Sequence, residues 1–181
     1  FEANGNFNFI SFFKELACIA KFCVKVTLVN SWTQTNFFHS NNTLFFALFI
    51  WGNSLVPGEG SGSLSLAVME AAHSLLRSLG LPYAWVTNFL VRKTAHFTEY
   101  FVLGLIASQA LDPKRTLSRG ALTAAAVLCA FVPAVDETIQ LFVAGRSGQV
   151  ADVLLDCSGA AAAMVLRFCV VRLLRHRKAR P

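Results

Sequence analysis

The stretch "RKTAHFTEYFVLG", Arg92 to Gly104, decides how this chain is read. It sets two cations, a histidine, a glutamate and a tyrosine at the head of a run that continues as plain apolar sequence. Arg92, His96 and Glu99 stand at i, i+4 and i+7, so a helix carries them on one stripe, with Lys93 and Tyr100 beside it. The pattern reads as one half of a membrane-spanning helix. Its cations start at the water boundary, His96 and Glu99 descend one and two turns, and Gly104 onward is ordinary lipid-depth helix.

The whole composition agrees with that reading. Of 181 residues, 55% are hydrophobic and 14% charged, with mean hydropathy +0.53; soluble domains carry about 25% charged residues. Each crossing takes roughly 20 apolar residues, which leaves room for four or five spans and excludes a large transporter of two repeated halves. The net charge of +6 does not point to nucleic acid. Its cations gather at segment ends and in the tail "RLLRHRKARP", where they set topology. Cys129, Cys157 and Cys169 fall inside apolar runs, so neither a zinc set nor a disulfide framework is expected. No signal peptide is expected either, because a charged n-region followed by a small-residue cleavage site is not found.

Three spans are clear, at 89–111, 120–142 and 150–174, and a shorter one, extendable upstream through Phe37, is expected at 41–57. Between them "GEGSGS", Gly58 to Ser63, reads as a flexible turn. "LSLAVMEAAHSLLRSLGLP" follows, with Leu64, Val68, Ala71, Leu75 and Leu79 at three- and four-residue steps, an amphipathic helix too polar to span and stopped by Gly80 and Pro82. The expected fold is therefore all-α: a membrane-embedded bundle of about four transmembrane helices with one amphipathic helix on the surface. Residues 1–43 read as a basic interfacial helix or a weakly structured extension, 44–174 as the transmembrane domain and 175–181 as a basic tail. Lys114, Arg115 and Arg119 in "DPKRTLSRG", with the basic tail, put that loop and both termini on the cytoplasmic side. Arg167 and His176 are expected to snorkel to the inner headgroups, and His73 and Arg77 to be solvated.

That topology gathers the remaining acids and bases at one end. At about 1.5 Å per residue, Arg92 lies about 28 Å along its helix from Leu111, Asp136 about 24 Å from Gly120 and Asp152 about 30 Å from Arg172. All three thus reach the outer boundary. Asp136 and Gln140 are four apart with Glu137 beside them; Asp152 and Asp156 are four apart, with Gly159 and Ala163 continuing their stripe as small residues that admit close helix approach. A charge near the bilayer centre costs about 2.5 to 3.5 kcal/mol, so such groups are paired or functional. Three facing polar stripes would form a cavity open to the outside. The alternative is that the same pairs only fasten the helices together.

Together, "NSLVPGEGSGS", "RKTAHFTEYFVLG" and "DETIQLFVAGRSGQVADVLLD" resemble, in order and over about Leu44 to Leu174, the VanZ-like family of small bacterial membrane proteins. The resemblance implies a multi-pass protein of the bacterial cytoplasmic membrane, in a family whose founding member is associated with resistance to the glycopeptide teicoplanin. Its characteristic polar residues fall on Arg92, Lys93, His96, Glu99, Tyr100, Asp136, Glu137, Gln140, Arg146 and Asp152. Asp156 departs from the pattern, since relatives often carry Asn there.

One functional reading is an enzyme or binding protein for an outer-leaflet amphiphile such as a lipid-linked cell-wall precursor. Its acid/base candidates are His96, Glu99, Asp136 and Glu137. Arg92, Lys93 and Arg146 would hold a phosphate or carboxylate, with Tyr100, Gln140, Asp152 and Asp156 completing the substrate contacts. The other reading is a non-catalytic membrane partner or shielding module. A metal ion held by His96 and the carboxylates is an open alternative, for which His/Asp/Glu spacing alone is weak evidence, so no metal and no cofactor is assigned. Ion translocation is disfavoured, because "LIASQAL" and "GALTAAAVLCAF" offer no relay through the inner half.

Overall fold

The computed structural model describes residues 36–178, and these form five helices without a strand: α1 (Asn36–Ser54), α2 (Gly58–Ser78), α3 (Asn88–Leu111), α4 (Arg119–Gln140) and α5 (Val150–Lys178). The expected basic or extended segment before Asn36 lies outside the described residues. Helix starts follow local chemistry. Thr87 caps α3 by accepting from the Leu90 amide at 3.2 Å, and Ser118 caps α4 by accepting from the Ala121 amide at 3.3 Å. Gly80 ends α2 at φ 68°, in the left-handed conformation that favours glycine.

Two expectations about the first helices change. The first helix runs Asn36–Ser54, ending before Pro57. "GEGSGS" is not a flexible turn but the first turns of α2. Pro57 at the N-cap position supplies a suitable φ of −54°, and Glu59 places a negative charge at the positive end of the helix. The Gly58 amide is held by the Ala144 carbonyl at 3.0 Å, in the loop between α4 and α5. There is no room for a side chain at Gly58, where an added Cβ would lie 1.9 Å from the Gly145 carbonyl oxygen.

Helix α3 is the hub. It packs most extensively on α5 and also touches α1, α4 and α2. The α3–α5 approach depends on missing side chains: a Cβ on Gly104 would come within 2.6 Å of the Ala160 carbonyl oxygen, and one on Gly159 within 2.4 Å of the Phe97 carbonyl oxygen. Ala160 and Ala163 are fully buried in the same seam. Ala47, Ile50, Tyr100, Leu103 and Val132 join α1, α3 and α4 in one apolar cluster. The Trp51 indole nitrogen donates to the Val132 carbonyl at 3.2 Å, tying α1 to α4.

Polarity in this bundle runs opposite to that of a soluble domain. Val127, Phe131, Leu154, Val165 and Leu173 are more than half exposed, while Asp136, Glu137, Gln140 and Asp156 are buried. Both α4 and residues 150–177 of α5 are long and apolar enough to cross a membrane. The other helices of the described chain do not meet that measure; in α3 the reason is plain, since Arg92, Lys93, His96 and Glu99 occupy its first half.

Arg167 overturns an expectation. Instead of snorkelling it is 2% exposed, donating to Gln109 Oε1 at 3.3 Å, to Asp112 Oδ2 at 3.3 Å and to the Asp112 carbonyl at 2.6 Å. The close α3–α5 seam brings it against the C-terminal end of α3, where a cation complements free carbonyls and the helix dipole. His73 and Arg77 likewise do more than face solvent. His73 Nε2 bonds the Val86 carbonyl at 2.7 Å, and the exposed Arg77 guanidinium lies 4.8 Å from the Tyr83 ring centre.

Candidate functional site

The end of α1, the start of α3, the end of α4 and the start of α5 meet at one end of the bundle, and nearly every residue singled out in the sequence gathers there. Asp136 and Asp156 are fully buried, Glu137 and Gln140 nearly so. His96 Nδ1 stands 3.8 Å from Asp156 Oδ1, linking α3 to α5. Lys93 pairs with Asp152 across the same seam. Glu99 faces the Asn53 side chain at the end of α1.

Gln140 is the organiser on α4. Its amide nitrogen reaches Asp136 Oδ2 and Glu137 Oε1, each at 3.2 Å, and Ser54 Oγ at 3.4 Å. Glu137 Oε2 accepts from the Gln149 backbone amide at 2.9 Å, which ties the loop after α4 to the cluster. That contact works because Gly148 lies against the Glu137 carbonyl, where a Cβ would be 2.2 Å away.

The stripes converge into a packed cluster whose edge, at His96, Lys93 and Asp152, is partly exposed. Several of its polar atoms are buried without a partner: His96 Nδ1, the Tyr100 hydroxyl, Asp136 Oδ1 and both carboxylate oxygens of Asp156. Tyr100 faces Asp136 without meeting hydrogen-bond geometry. A surface cavity of about 430 Å³ lies elsewhere, at the other end of the bundle, lined by Leu117, Phe168, Arg172, Arg175 and His176.

The three cations differ in what they are free to do. Lys93 is engaged by Asp152. Arg146 staples backbone, donating from Nε to the Val56 carbonyl at 2.8 Å and from Nη2 to the Asn53 carbonyl at 3.0 Å, so it joins the α4–α5 loop to the end of α1. Burial, and then the positive charge of nearby Arg92, weaken the hold of Arg146 on its proton. Arg92 forms no ion pair with an acid among the described residues.

Three contributors escaped the sequence reading. Asn53 and Ser54 end an apolar helix with polar side chains, and that "NS" pair was the available signal. The Gln149 amide could not be found, because a backbone donor leaves no mark in residue type.

Among the described residues, helices alone, with apolar faces outward, two of them long and apolar enough to cross a bilayer, and a cluster of buried acids give this chain the character of a membrane protein. It belongs to the VanZ/LLP1 family, whose model it matches over residues 13–172. The match takes in part of the segment upstream of Leu44, which the motif resemblance leaves out. Neither the curated proteins nor the solved structures give a match.

Proposed function

We propose that α1, α3, α4 and α5 all cross the bacterial cytoplasmic membrane, with α2 along its surface and both termini in the cytoplasm. The polar cluster then lies at the outer face and engages the anionic head of an outer-leaflet envelope lipid or lipid-linked cell-wall precursor. The observation that carries this reading is the set of buried polar atoms without partners, on Asp136, Asp156, Tyr100 and His96. Leaving such groups unsatisfied costs about 1 to 3 kcal/mol each, an expense a folding device would not need. Arg92, beside Arg146 and without an acid partner among the described residues, supplies the positive charge for a phosphate or carboxylate. His96, with Glu99, Asp136 and Glu137 nearby, supplies groups that could move a proton. We take such a role to bear on glycopeptide resistance of the teicoplanin type, which the resemblance to the VanZ-like family suggests.

The competing reading, a non-catalytic partner or shielding module, draws support from the Gln140 bridge and the Arg146 staple, which both serve folding. His96→Gln and Glu99→Gln separate the two. Membrane levels are measured by immunoblot alongside teicoplanin susceptibility of the host. Lost resistance at unchanged level supports chemistry at the site. Unchanged resistance sinks the acid/base role, and loss of the folded protein assigns the cluster to structure. Co-purified lipid, identified by native mass spectrometry and depleted in Arg92→Ala, tests the headgroup contact.

A further inference from the structure

We infer that His96, Asp136, Glu137 and Asp156 form a binding site for one divalent transition-metal ion. One ligand atom from each of the four lies within 4.8 Å of all the others. With metal–ligand distances of roughly 2.0 to 2.2 Å, neighbouring ligand atoms around one ion sit roughly 3 to 4 Å apart, so modest side-chain rotation closes the set. The residues come from three helices, α3, α4 and α5, whose relative placement is fixed by the glycine seam and the Gln149–Glu137 contact.

The second observation is independent of spacing. Asp156 is fully buried and neither of its carboxylate oxygens has a hydrogen-bond partner; Asp136 is also fully buried and has Oδ1 unpartnered; His96 Nδ1 is unpartnered and points to Asp156. Among the described residues no lysine or arginine serves these atoms: Lys93 is taken by Asp152, Arg146 by backbone carbonyls, Arg167 lies with Asp112 at the opposite end, and Arg92 forms no ion pair. Adjacent buried carboxylates without a cation are strongly disfavoured. A divalent ion removes that penalty and uses the unpartnered atoms.

The surroundings have the form of a second layer around a metal. Gln140 donates to both Asp136 and Glu137, and the Gln149 amide donates to Glu137, so two of the carboxylates are held in orientation by other groups. One imidazole with three carboxylates and no thiolate selects Mn²⁺, Fe²⁺ or Zn²⁺ over Ca²⁺, which prefers all-oxygen shells, and over Cu⁺, which prefers sulfur. An ion here would also give an anionic headgroup a point of attachment beside Arg92. That last link rests on the lipid reading above; the metal site does not.

The test uses the full chain in detergent, stripped with a chelator and reloaded with Mn²⁺ or Zn²⁺ in lipid-free buffer. Bound metal is counted by mass spectrometry, and Mn²⁺ is followed by electron paramagnetic resonance. The expected result is one ion per chain, a raised melting temperature, and affinity lowered at least about tenfold in Asp156→Asn and His96→Gln. Glu70→Gln, exposed on α2, should bind as the unaltered protein does. Absence of stoichiometric metal in the reloaded protein overturns the proposal, as does unchanged affinity in whichever of the two ligand variants folds. Because no lipid enters the measurement, a failed headgroup experiment leaves this result standing, and the reverse also holds.

Discussion

Arg167 of α5 grips Asp112 at the end of α3 twice, through the backbone carbonyl at 2.6 Å and the carboxylate at 3.3 Å, with side-chain exposures of only 1% and 3%. Gln109 takes a third guanidinium donor. The pair sits at the opposite end of the bundle from the histidine cluster, so it fixes the α3–α5 register without taking part in the proposed site.

Removing one partner leaves the other buried and uncompensated. Arg167→Ala should lose about 3 to 5 kcal/mol of stability, and Arg167→Lys less, since a point charge keeps the attraction but not the forked bonding. Chemical denaturation in detergent gives the ranking. Equal stability of Arg167→Ala and the unaltered protein would contradict the pairing.

Asp112 also sets an acid limit. Burial pushes its carboxyl up, but hydrogen bonds from the Thr116 hydroxyl and amide and from the Leu117 amide, with the charge of Arg167, outweigh it and hold the group below its ordinary value of 3.8. A lowered folded value stabilises the fold fully above pH 3.8 and loses that contribution as pH falls through the lowered value. Asp112→Asn should therefore be less stable near neutrality and lose less on acidification. Melting temperatures followed from about pH 5 to about pH 2 show whether the two curves converge.

The glycine seam makes a steric prediction. Gly104→Ala and Gly159→Ala place a methyl against backbone oxygens that cannot rotate away, so each should cost about 1 to 3 kcal/mol. Gly62→Ala, in α2 with nothing within 4 Å of the new methyl, should instead stabilise by about 0.5 to 1 kcal/mol. Thermal melts of the three variants give the signs, and a neutral Gly104→Ala would mean the helices are further apart than described.

The helices and the gathering of acids at one end were legible because both follow from periodicity. Stripes at three- and four-residue steps fix a face, and alternating chain direction fixes which ends coincide. Gly159 and Ala163 were readable as a close-packing stripe for the same reason. What was not legible depends on three-dimensional partners. "GEGSGS" looks like a linker by composition and becomes helix only because the Ala144 carbonyl and the space beside Gly145 receive its start. Arg167 looks like any snorkelling cation until α5 lies close enough to α3 for Asp112 to enclose it. Arg146 reads as a ligand for an anion, yet its donors go to two backbone carbonyls that residue type cannot announce.

Tyr100 separates a structural cluster from a functional one. It is fully buried at the junction of α1, α3 and α4, and its hydroxyl has no hydrogen-bond partner although it faces Asp136. A buried hydroxyl that makes no bond stabilises nothing, so Tyr100→Phe keeps the ring packing and removes only an unsatisfied group. Its effect on melting temperature should be neutral or favourable. If the hydroxyl serves a bound headgroup, the same variant loses resistance or lipid retention while its stability holds. If it belongs to a purely structural network completed by water, Tyr100→Phe should instead destabilise by about 1 kcal/mol. Melting temperature and teicoplanin susceptibility of one variant thus divide the two readings, and a stable Tyr100→Phe protein with full function would remove this residue from the proposed site.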